Sequence, residues 1–315
     1  MSHRNGSPAR ALVLGCGGVA GGAWSIAILA ELERQLDWDA RNASVLVGTS
    51  AGAVVAALLA AGVGVKTLVA CQQGQGRQCQ WQHDRDSGGA LPPWPAARFT
   101  GSGLLGLGLR GEVSPLTAFC GLLPTGRLDM TPFRRLIDSA IPAGQWPDHP
   151  ATWLVTVDTD SGERVAFGHP GAPAAAVNDA VCASYAVPAW CPPVSIQGRR
   201  YIDGGVASPT SADLVADTAV DEVVILAPMA ARNPDRPRAP LPWIERRVRH
   251  YMTAIVDREE ALLRAAGKRV IRLEPGAADL TAFGYNLMDP GRRQRVLDQA
   301  CLSAPALVAR AIADA

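Results

Sequence analysis

The stretch SVLVGTSAGAVVAALLAAG, residues 44–62, changes its structural period in the middle. Val45, Leu46 and Val47 form a short apolar run suited to a buried strand, and Ala51 to Ala61 is an alanine-rich run suited to a helix. The change falls inside Gly48-Thr49-Ser50-Ala51-Gly52. A strand that passes straight into a helix is the repeating unit of an α/β fold. The pentapeptide matches G-x-S-x-G in the strand–turn–helix setting that gives this motif chemical meaning. In that setting the serine sits on a tight, strained turn, and Gly48 and Gly52 omit side chains that would meet neighbouring backbone. The helix that starts at Ser50 directs the positive end of its dipole at the site. Ser50 is therefore a candidate nucleophile. The plainer alternative is a serine that only caps a helix.

The elements around this turn repeat the same logic. Residues 10–15 read as a buried strand and 23–36 as a helix, with Ile28, Leu29, Leu32 and Leu36 at helical spacing. Residues 152–168 read as a hairpin turning at Asp160-Ser161-Gly162, and 172–186 as a helix ended by Pro188. A second hairpin covers 194–205 with its turn at Gln197-Gly198. A strand over 221–228, a long amphipathic helix over 241–267 and a last strand over 268–275 complete the pattern. Strands alternating with helices predict a three-layer α/β/α sandwich around a mainly parallel sheet. No linker divides the chain, so 1–315 reads as one domain, with 276–315 a C-terminal helical extension. Residues 72–130 are rich in Gly, Pro, Gln and Trp and weakly periodic. They read as a variable insertion, either a surface excursion with partial order or a lid over a site. Within them Trp81, Trp94, Leu104, Leu105 and Leu107 are candidates either for transient contact with a membrane surface or, equally, for packing on the body of the protein.

A nucleophilic serine needs a base. Only His250 lies far enough downstream for a Ser–acid–His order, and it falls inside a predicted helix, where a structural or surface role fits better. Asp203 offers another solution. It ends a short strand and is followed by Gly204-Gly205, which let it approach a second backbone closely. A partly buried carboxylate can take a serine proton directly. Taken alone, Asp-Gly is also an ordinary hairpin turn.

The loop after the first strand, LGCGGVAGGAW (14–24), has two readings. A dinucleotide site requires G-x-G-x-x-G and an acid at the end of the second strand. Cys16 and Ala20 interrupt the first, and the serine turn occupies the second. An oxyanion hole requires only backbone N–H groups that can approach the reacting oxygen, which Gly17 and Gly18 can supply.

Together these three pieces resemble the patatin-like phospholipase family. That family has a glycine-rich oxyanion loop after its first strand, G-x-S-x-G at the nucleophile, and Asp-Gly-Gly or Asp-Gly-Ala at the acid. Here they read CGGVAG (16–21), GTSAG (48–52) and DGG (203–205). CASYAVPAWCPPV (182–194) resembles the stretch that precedes the family's aspartate. The resemblance covers about 10–75 and 130–275. It implies a patatin-like fold and a Ser50–Asp203 dyad, with oxyanion donors from Gly17, Gly18 and Ala51. It further implies hydrolysis of a lipid or other acyl ester. Two positions depart from the pattern: Cys16 stands for the loop's first glycine, and Ala20 for its usual Arg or Lys. Two other readings stay open, acyl transfer on the same dyad and a catalytically silent lipid-binding or regulatory protein.

Composition bounds the rest. A net charge of +1 gives no electrostatic case for nucleic acid, nor for strong binding to an anionic membrane. The apolar runs are broken by glycine and fall short of a bilayer span of roughly 20 residues. The N-terminal residues show no secretory pattern. The seven cysteines lack C-x-x-C spacing and read as reduced thiols of a cytoplasmic protein. No histidine or cysteine pattern suggests a metal, and no cofactor is expected.

Overall fold

A computed structural model describes residues 8–75, 86, 89–94, 96 and 98–315. Eight strands form one sheet: β1 (Arg10–Leu14), β2 (Val45–Thr49), β3 (Thr152–Asp158), β4 (Arg164–Phe167), β5 (Val194–Ile196), β6 (Arg199–Asp203), β7 (Glu222–Leu226) and β8 (Arg269–Leu273). Their order is β5-β6-β3-β2-β1-β7-β8, with β4 also paired to β3. The β3-β2-β1-β7-β8 run is parallel, whereas β4, β5 and β6 are antiparallel to their neighbours. The parallel strands are buried along their whole length apart from Arg269, as their unbroken apolar runs require.

Helices cover both faces. They are α1 (Gly18–Leu36), α2 (Ala51–Ala60), α3 (Val65–Gln72), α4 (Ser102–Leu109), α5 (Pro115–Leu122), α6 (Thr131–Asp138), α7 (Val177–Ser184), α8 (Pro240–Ala265), α9 (Ala277–Phe283) and α10 (Arg293–Ala313). One apolar layer is built from α1, α2 and the inner side chains of the sheet, including Trp24, Ile28, Leu32, Leu46 and Leu59. The opposite layer joins Val13, Val47, Val155 and Ile225 to Val256 and Leu263 of α8. The segment over Pro290–Ala313 is long and apolar enough to cross a membrane by length and composition, contrary to the expectation from the shorter runs. Here α10 packs along α1 and buries Val296, Leu297, Ala300, Ala304 and Val308.

The register around β3 positions the rest. Leu154 pairs with both Gly48 of β2 and Phe167 of β4, and Thr156 with both Asp203 of β6 and Val165 of β4. With β4 filling one edge, β2 and β6 must share the other edge, one after the other. Thr49 sits opposite Val155 and Asp203 opposite Thr156. The end of β2 and the end of β6 therefore meet, although they are about 150 positions apart in sequence.

One open alternative is settled, and two further expectations change. Leu104 and Leu107 do not face outward; they are buried against Val157, Ile202 and Val206, because α4 and α5 fold as a helical pair over the sheet. Leu105 is half-buried, Trp94 is exposed and Trp81 lies outside the described residues. Cys71 is disulfide-bonded, cross-linking the chain where α3 leads into the long excursion, so the reading of all cysteines as reduced thiols fails there. Cys16, Cys120, Cys182, Cys191 and Cys301 are free thiols, all buried except Cys301. The first helix begins at Gly18 rather than residue 23, so the glycine loop is itself the opening turn of α1.

Candidate active site

Ser50 sits between β2 and α2 with φ 58° and ψ −123°, a region that side chains other than glycine rarely occupy. Such a conformation costs on the order of 1–3 kcal/mol and persists only where the surroundings enforce it. Here they do. The Ser50 N–H donates to Ser184 Oγ at 2.9 Å, and the Ser184 hydroxyl donates to Val155 O at 2.7 Å. Ser50 O accepts from the N–H groups of Ala53 and Val54, which starts α2. The Ala51 N–H lies at the open N-terminus of that helix.

The two motif glycines are steric requirements. A Cβ on Gly52 would stand 2.0 Å from Leu14 O, and one on Gly48 2.5 Å from Ala53 Cα. Both obstacles are backbone and cannot rotate away. Gly52→Ala is expected to destabilise the fold by about 3 kcal/mol or more. A thermal melt checks this, and an unshifted melting temperature would show that β1 and α2 pack more loosely than described.

Asp203 is buried at the end of β6. Its carboxylate is hydrogen-bonded to the Ser50 side chain and accepts the Gly205 N–H at 2.7 Å. Burial pushes its pKa up from 3.8 to about 7, and these two hydrogen bonds hold it from rising further. Gly204 and Gly205 let the chain turn tightly here: Val155 O lies 2.5 Å from a Cβ built on Gly204, and Cys16 Sγ 2.9 Å from one on Gly205. The Asp-Gly-Gly turn is thus packed directly on the glycine loop.

That loop is fixed by its flanks. The N–H groups of Gly15, Cys16 and Ala20 donate to Leu226 O, Pro209 O and Leu287 O at 2.8–3.0 Å. Gly17 and Gly18 lie between these anchors, with Gly18 at φ +58°. Burial and the neighbouring Asp203 carboxylate push the Cys16 thiol up, so it stays protonated behind the loop. The loop and the serine turn both occur at the carboxyl ends of parallel strands. They adjoin β1, where the strand order reverses towards β7, which is the usual location of sites in open α/β sheets.

A cavity of about 700 Å³ borders this constellation. Gly18 and Ala51 line it at one end. Val54, Val55, Leu58 and Ala61 follow at helical spacing along α2, and Gly62, Val63 and Gly64 lie past its far end. The cavity forms a mainly apolar channel alongside α2, a ten-residue helix about 15 Å long by its rise, with Arg41, Thr67, Gln72 and Ser139 among its polar lining. Phe133, Leu136 and Ala140 of the α6 region form another wall. Among the described residues of 72–130, Gln72 contributes to the lining, and α2 and the α6 region supply two of the walls.

The site residues named from sequence are brought together: Ser50, Asp203, Gly17, Gly18 and Ala51 with the flanking glycines. His250 is exposed on α8. Among the described residues no group of three or more His, Cys, Asp or Glu could hold a metal ion. Sequence reading missed Ser184, whose hydroxyl is bonded to the turn. It ends a helix with no spacing signal linking it to Ser50.

A family model described as patatin-like phospholipase matches residues 12–216, which includes the glycine loop, the serine turn and the Asp-Gly-Gly turn. The chain belongs to the patatin-like phospholipase family. Comparison with curated protein sequences found no match. Among solved structures, VipD from Legionella pneumophila is 16% identical with a TM-score of 0.44, over 96% of this chain and 66% of that one. The type III effector ExoU is 16% identical with a TM-score of 0.37, over 96% of this chain and 53% of that one. This patatin-like chain thus spans just under two thirds of the first and about half of the second.

Proposed function

We propose that this patatin-like protein is a serine acyl hydrolase acting on lipid or other long-chain acyl esters. The observation that carries the reading is one juxtaposition. A strained, buried serine is hydrogen-bonded to a buried carboxylate, and its neighbours Ala51 and Gly18 line a mainly apolar cavity. Asp203 accepts the hydroxyl proton as Ser50 Oγ attacks the ester carbonyl. The N–H groups of Gly17, Gly18 and Ala51 receive the oxyanion, aided by the positive ends of α1 and α2. The tetrahedral intermediate collapses, and the leaving alcohol takes the proton back from Asp203. A water, deprotonated by the same carboxylate, then attacks the acyl-serine and releases the fatty acid. A serine-directed phosphonate should label the protein at Ser50; a folded protein that resists labelling would favour the silent lipid-binding alternative. Acyl transfer differs only in the second nucleophile, and product analysis with an added alcohol acceptor distinguishes it.

The channel makes a specific expectation for chain length. A single extended acyl chain laid along α2 meets Ala61 near the far end. Ala61→Phe should weaken kcat/KM for long-chain p-nitrophenyl esters by about tenfold or more while sparing the acetate ester. Equal losses on both esters would place the acyl chain elsewhere.

A further inference from the structure

The net charge of +1 hides an uneven distribution at the start of α8. Leu241, Trp243 and Ile244 are 54%, 55% and 51% exposed. Leu241–Ile244 and Ile244–Arg247 are neighbours at steps of three and Trp243–Arg247 at a step of four, so the four cover about half of the helix circumference. The Arg247 guanidinium lies 5.9 Å from the centre of the Trp243 ring. The nearby acids are already engaged. Asp235 pairs with Arg246, and Glu245 pairs with both Arg246 and Arg249. Exposed Arg236, Arg238 and Arg247 form no ion pair among the described residues. The result is an apolar tip with Arg247 on it and two further exposed arginines, Arg236 and Arg238, in the segment leading into it.

Behind the tip, the inner side of the helix start is tied towards the candidate site. Arg246 donates to Leu280 O of α9 at 3.2 Å. The chain after α9 supplies Leu287 O, which receives the Ala20 N–H, and Met288, whose Sδ lies against Gly18 at the channel. One short run, 280–288, therefore connects the buried side of this helix start to the glycine loop.

We propose that the start of α8 is a docking surface for an anionic phospholipid bilayer. Leu241, Trp243 and Ile244 enter the headgroup region, and Arg236, Arg238 and Arg247 meet lipid phosphates. The pairing of an exposed apolar tip with arginines that lack acidic partners matches the apolar interior and anionic headgroups of a bilayer. The proposal goes beyond the hydrolase reading and stands without it, since a catalytically silent chain would dock equally well.

The test is co-sedimentation of the full chain carrying Ser50→Ala, which leaves the lipid intact. The vesicles are phosphatidylcholine with or without phosphatidylserine. Binding to the anionic vesicles should exceed binding to the neutral ones at least about tenfold and fall with salt. Arg236→Glu/Arg238→Glu/Arg247→Glu should erase that preference. Leu241→Ser/Trp243→Ser/Ile244→Ser should abolish pelleting with both vesicle types. Phe119→Ser/Leu122→Ser, an exposed apolar pair on α5, should change nothing. Thermal melts establish that each variant is folded. A folded protein that does not pellet with anionic vesicles overturns the proposal, as does pelleting that survives both α8 variants or is lost in the α5 variant. Self-association that needs the apolar tip, without pelleting, assigns the face to a second copy of the chain and equally overturns it.

Discussion

Ser50→Ala is expected to lower ester turnover by about 10⁴-fold or more while the protein stays folded. The reasons lie in what the substitution keeps. Alanine retains the Cβ, so the positive φ at position 50 is no more strained than with serine. The N–H bond to Ser184 is a backbone donation and survives. What disappears is the hydroxyl and its hydrogen bond to Asp203, worth about 1 kcal/mol net in an ordinary case. Loss of that donor leaves the buried carboxylate harder to ionise. Turnover of a p-nitrophenyl ester beside a thermal melt checks both halves. Undiminished hydrolysis by the folded variant would remove Ser50 from the mechanism.

The second large effect belongs to Asp203, and it has both a kinetic and a thermodynamic side. As a base it acts only when ionised, and its pKa in the fold is about 7. Turnover should rise about tenfold per pH unit on the acid side and level off above about pH 7. Asp203→Asn should remove this limb and cost about 10²–10⁴-fold in rate. The stability effect has the opposite direction. In the unfolded chain the carboxyl ionises near 3.8, while in the fold it keeps its proton up to about 7. Between these values the folded state binds more protons, so the free energy of unfolding falls as pH rises through the window. The full shift corresponds to on the order of 4 kcal/mol. Asp203→Asn carries no such charge, so it should be more stable than the parent above about pH 7 and similar to it near pH 4. A flat pH–rate profile, or an asparagine variant no more stable at alkaline pH, would contradict the assignment of Asp203 as a buried base.

How much of this was legible in the sequence depends on the range of the interactions involved. Strands β1, β2, β7 and β8 read well because each is a short apolar run that must be buried on both faces. The Gln197-Gly198 turn also read well, since Gln197 at φ 50° and Gly198 at φ +79° follow local turn chemistry. Helices α4 and α5 did not. Gly103, Gly106 and Gly108 lower the intrinsic helix preference of α4, and the helix is stabilised by packing on α5 and on Val157 and Ile202. The Ser50–Asp203 pair was visible only as two separate motifs. Its proximity comes from the way β2 and β6 divide one edge of β3, a long-range fact with no local signal. Ser184 was invisible for the same reason. The channel depends on the face of α2 that α6 and α3 leave uncovered, which an alanine-rich helix does not reveal.

The measurement that bears most directly on the proposed function is the site and pH dependence of labelling by a fluorophosphonate probe, mapped by mass spectrometry. The expected result is one adduct on Ser50. It should form faster as pH rises towards about 7, slow strongly in Asp203→Asn, and be absent in Ser50→Ala. No adduct in the folded protein, or an adduct on another residue at a rate indifferent to Asp203, would contradict the dyad.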